Sequence, residues 1–85
     1  MLYNVEKIEF NVIFRNYKDS SKQVKMKHLY NSCQTPVIPN VNDNVYIMSK
    51  MHQVVEITHE YTILTNVYND KHIVVHDIII YIKEV

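Results

Sequence analysis

Hydrophobic and polar residues alternate along much of this chain with the period of two that sends successive side chains to opposite faces of a β-strand. Over Lys7 to Arg15, Ile8, Phe10, Val12 and Phe14 fall on one face, and Lys7, Glu9, Asn11 and Arg15 on the other, with Ile13 the exception. This pattern predicts a strand buried on one side. Asn16 to Ser21 is polar and reads as a turn. A second strand is predicted from Gln23 to about Tyr30, with Val24 and Met26 inward and Lys25 and Lys27 outward, pairing with the first as an antiparallel hairpin. Weak i, i+4 matches of Val24 with His28 and of Lys25 with Leu29 leave a helix over Ser21 to Tyr30 as the alternative.

The last stretch, His72 to Val85, breaks the alternation. Val74, Ile78, Ile80 and Ile82 lie on one face and Ile73, Val75, Ile79 and Tyr81 on the other. A strand apolar on both faces needs cover on both, from the protein's own core and from something else. Ile79, Tyr81 and Ile73, with Tyr68, are therefore the expected protein interface.

Between these ends, Asn31 to Asn44 holds both prolines, Pro36 and Pro39, and reads as an extended connection. Their PxxP spacing also fits proline-reading domains, though so short a match arises easily by chance. Val45 to Ile47 then starts a strand, and Ser49-Lys50-Met51 turns it. His52 to Tyr61 returns with Val55, Ile57 and Tyr61 in one register, and a short strand over Ile63 to Tyr68 and a turn at Asn69-Asp70-Lys71 lead into the last strand. The expected fold is all-β, a small single-domain antiparallel barrel or strongly curved sheet of about five to six strands.

Composition sharpens this picture. Eighty-five residues suffice for one domain, and 47% hydrophobic content argues against disorder. Small domains without disulfides often gain missing burial by oligomerising. Cys33 is the single cysteine, so no internal disulfide can form, and a small hydrophobe in a loop is its simplest role. Neither a leader-like N-terminus nor an apolar run near the ~20 residues of a membrane helix is found, so a cytoplasmic protein is expected. The net charge of +0 argues against a general DNA binder. Glycine is absent, which leaves Asn and Asp to supply backbone at positive φ.

Pro39-Asn40-Val41-Asn42-Asp43-Asn44-Val45-Tyr46-Ile47, followed by His52-Gln53-Val54-Val55-Glu56-Ile57-Thr58-His59 and a β-rich tail, resembles small SH3-like barrels encoded by phages and mobile elements. In those, a Pro is followed by an apolar residue, Gly-Asp, an apolar strand, a turn and a Val-rich strand; Asn42 stands here in the glycine's place. The resemblance spans about half the chain and implies a barrel-like fold and a phage origin, with the host cytoplasm as its compartment. It transfers no functional residue.

Candidate chemistry is sparse. His72 and His76 fall on one face roughly 13 Å apart, given a rise of ~3.3 Å per residue, too far to share an ion. His59 with His76 across two strands could, with Asp77, Glu56 or Glu60 as third ligand; histidines in a strand ladder are the plainer reading, and no metal or other cofactor is expected. His52 adds another imidazole. Glu56, Glu60 and Asp77 could act as acid and base or simply form a polar face. The basic set Arg15, Lys18, Lys22, Lys25 and Lys27, flanked by Tyr17 and Tyr30, suits single-stranded nucleic acid or an acidic protein, or protects a solvated hairpin edge. The leading expectation is a non-catalytic protein that acts by protein contact, homo-oligomeric, with an unidentified target such as a host defence enzyme inhibited in the anti-CRISPR or anti-restriction manner. A nucleic-acid module built on residues 15–30 and a virion or assembly component are the alternatives.

Overall fold

The computed structural model describes residues 5–30, 37–65 and 71–85, and for residues 5, 6 and 25–30 the backbone alone. Among these, every regular element is a strand: β1 (Val5–Asn16), β2 (Gln23–Tyr30), β3 (Asn44–Ile47), β4 (Lys50–Thr65) and β5 (His72–Glu84). They form one mixed sheet in the order β2-β1-β5-β4-β3, curled into a half-barrel. The hairpin β1/β2 is antiparallel as expected, and β3, β4 and β5 form an antiparallel meander. The two halves join through β1 and β5, which run parallel, so the sheet is not wholly antiparallel.

This order puts the doubly apolar last strand at the centre of the sheet. β5 is the central strand, flanked on one edge by β1 and on the other by β4. Its even-numbered residues Ile78, Ile80 and Ile82 meet Phe10, Val12 and Val54 on the concave face, where Ile80 and Val54 are fully buried. Ile8, Phe14, Ile38, Val45, Ile47 and Ile57 pack around that cluster. The alternation read in β1 is thus the core face of the strand.

Three departures from the expected strands are local. The turn before β4 is Met48-Ser49, starting one residue earlier than the expected Ser49-Lys50-Met51, with φ of 52° and 64°. A two-residue hairpin with positive φ at both positions follows the right-handed twist of the strands, and twist outweighs residue preference here. β4 then runs unbroken through Thr62, so the expected pair of strands, His52 to Tyr61 and Ile63 to Tyr68, is one strand as far as Thr65; residues 66–68 lie outside the described residues. A bulge between Val54 and Glu56 inserts Val55, so that Val54 and Ile57 share the core face and Val55 does not. The helix alternative for Ser21 to Tyr30 is a strand over Gln23–Tyr30. Asn42 takes φ 77°, the left-handed backbone expected where the resemblance has glycine.

The molecule is long. Its radius of gyration is 15.1 Å, against about 12 Å for a compact domain of this length, and its extents are 48 × 25 × 22 Å. The core fills the end of the sheet near β3; the far halves of β4 and β5 extend beyond it.

Candidate functional site

The concave face beyond the core carries a cross-strand aromatic cluster. His76 pairs in register with Phe10 of β1 on one side and Tyr61 of β4 on the other. Tyr61 stacks on its ring with centroids 4.2 Å apart, and Phe10 is tilted against it at 5.3 Å. His59 Nδ1 lies 2.8 Å from His76 Nε2, a hydrogen bond in which one ring donates and the other, necessarily neutral, accepts. Burial, reinforced by the facing His59 and opposed by Asp77, holds His76 below the ordinary histidine value of 6.5. The pair that His59 and His76 could make across two strands is therefore formed. Asp77 pairs with Glu60, and Glu56 with Tyr81, at register positions that alternate away from those of His59 and His76, which puts all three carboxylates on the convex face. Among the described residues no group of three His, Cys, Asp or Glu could hold a metal ion.

On the convex face Asn11 donates from Nδ2 to Asp77 Oδ1 at 2.7 Å, with only 5% of its surface exposed. Glu60 stands opposite Asp77, so these carboxylates do come together, as an ionic face of the sheet. Ile79 is 4% exposed and Ile13 beside it is also buried, so Ile79 offers almost no surface to a partner. Tyr81 and Ile73 are half-buried, and Tyr68 lies outside the described residues.

The basic residues divide into two groups. Tyr17, Lys18 and Lys22 sit in the exposed β1/β2 turn, where Lys18 Nζ lies 5.5 Å from the Tyr17 ring centroid. That turn is closed by Asn16, whose Oδ1 accepts from the N–H groups of Lys18 and Asp19, and by Asp19. The Ser21 hydroxyl and N–H, with Lys22, hold the Asp19 carboxyl below the usual range. Lys25 and Lys27 stand opposite Ile13 and Asn11, and Tyr30 opposite Ile8; Arg15 Nε is held by Gln23 Oε1 at 3.1 Å. Sequence proximity thus places one set at the turn and another along the strand.

Exposed large apolar side chains gather in two places. One is segment 37–48, where Val37, Val41, Tyr46 (73% exposed) and Met48 (85%) face solvent while Ile38, Val45 and Ile47 anchor the same segment in the core. Beside it an open cleft of about 430 Å³ runs between the β1/β2 and β3/β4 turns, lined by Phe14, Val24, Ile47, Met48 and Ile82 with Lys50 and Glu84 at 3.7 Å. Val24, expected inward, is 37% exposed there because β2 is an edge strand. The other place is the far half of β4, with Tyr61 (65%), Ile63 and Leu64 exposed. The available signals were the unbroken apolar run Val45 to Met48 and the lack of a turn residue between Lys50 and Thr65. Comparison with protein-family models, curated proteins and solved structures finds no match to this chain. Among the described residues no helix is long and apolar enough to cross a membrane.

Proposed function

We propose that this chain is a non-catalytic binding protein that works by protein contact, with segment 37–48 as its contact surface. The observation that carries this reading is the display of Tyr46 on β3 and of Met48 in the turn after it, next to Val45 and Ile47, which pack on the core. Anchoring from behind lowers the ordering cost of a partner contact, and Tyr and Met are side chains that interfaces favour. The positive φ of Met48, unusual for such a residue, adds strain at the tip of that display. The resemblance to phage-encoded barrels suggests a setting, inhibition of a host defence enzyme.

The test is capture of partners from a host lysate by the tagged protein, with and without nuclease, set beside capture by a Tyr46→Glu, Met48→Glu variant. One stoichiometric protein that survives nuclease and is lost with the variant supports the reading. Recovery that vanishes with nuclease transfers the function to the basic residues of the β1/β2 hairpin and to nucleic acid.

A further inference from the structure

β4 is much longer than the strand that covers its outer edge. β3 pairs only with Lys50 to Gln53, and the loop before it adds two bonds to Val54, from Asn42 N–H to Val54 O and from Val54 N–H to Asp43 O. From Glu56 to Thr65 the described partner is β5 alone. The direction of the remaining backbone groups follows from the ladder. Ile82 O accepts from Tyr17 N–H, so β5 turns the backbone of its even-numbered residues toward β1. Their partners on β4, Ile57, His59, Tyr61, Ile63 and Thr65, accordingly turn their N–H and C=O groups outward. Residues 59–65 are all exposed. This long edge has no proline, glycine or lysine, and beyond the bulge at Val54–Glu56 the one carboxylate on it is Glu60, so little keeps it from pairing with another strand.

We infer that this edge, distinct from segment 37–48, is taken by a second copy of the chain, β4 against β4 antiparallel about a two-fold axis at Tyr61. Charge and register select that arrangement. An axis at Tyr61 uses the whole stretch 57–65, sets Tyr61 against its own copy, His59 against Ile63 and Thr58 against Leu64, and places Glu60 opposite Thr62. An axis at Glu60 would oppose two identical carboxylates, and a one-residue slip would turn the apolar row of one copy onto the polar face of the other. With the axis at Tyr61 the outward groups all meet in reciprocal pairs, about ten main-chain hydrogen bonds in all. The two half-barrels become one continuous sheet in which the exposed Ile63 and Leu64 of each copy gain His59 and Thr58 of the other as neighbours.

Sedimentation velocity on the full chain tests this. A dimer at about 100 μM is expected, and a monomer at that concentration overturns the inference. Tyr61→Lys places two ammonium groups at the axis, and its dissociation constant should rise at least about a hundredfold while the strand signature in circular dichroism persists. A dimer that Tyr61→Lys leaves intact overturns the arrangement. Should Tyr61→Lys lose the strand signature, a Cys33→Ser, Tyr61→Cys chain decides: a short thiol-to-thiol reagent should join it to its own copy in high yield, and failure to do so overturns the axis. Substitutions at Tyr46 and Met48 should leave the dimer unchanged, so loss of target capture and loss of self-association are read separately.

Discussion

Met48 and Ser49 hold a hairpin conformation that side chains with a Cβ resist by roughly 1–2 kcal/mol per residue. Replacing the pair by Asn-Gly, the residues such a turn favours, should raise the unfolding free energy by about 1–2 kcal/mol in urea titration. If strain at this tip serves partner contact, the same variant should capture its target less well. Ile80, fully buried between β1 and β4, should cost about 2–5 kcal/mol when cut to Ala. Ile79 now belongs with it: Ile79→Lys would bury a charge, so an unfolded protein is the expected result, seen as loss of the far-ultraviolet strand signal. The alternation of β1 marked its core face, but the outer face expected in solvent is buried as well at Asn11 and Ile13. Ile79 was misleading because the sequence shows that a residue is apolar without showing which strands flank it.

At the level of elements, the histidine pair ties the concave faces of β4 and β5 to pH. His76 has a lowered pKa in the folded protein, so the unfolded chain takes up its proton first as pH falls. The stability this group contributes is complete above about pH 6.5 and is lost on acidification below it. Urea midpoints measured from pH 8 to pH 5 should therefore fall, and His76→Gln should flatten the decline. That His59 and His76 meet depends on the register between β4 and β5, which the sequence does not show, whereas alternation alone sends their neighbours Glu60 and Asp77 to the opposite face. A strand's alternation becomes a face only when its register is known, and the Val55 bulge shifts that register within β4. The merging of two expected strands into β4 has a similar origin, since Thr62 is as compatible with a strand as with a turn.

For the molecule as a whole, strands and curvature were legible and the parallel join of β1 to β5 was not, because pairing between distant strands leaves no local mark. That join has a consequence for the order of assembly. In the sheet, among the described residues, the hairpin β1/β2 joins β3 and β4 through β5, whose partners on β1 lie more than sixty residues earlier, as in the Asn11 to Asp77 bond with its separation of 66. During synthesis the first-made hairpin must therefore wait with Phe10, Val12 and Phe14 uncovered until β5 has been made. β5 acts as the keystone: nascent chains halted before His72 should be cleaved readily by protease, and resistance should arise in one step once Ile82 is free of the ribosome.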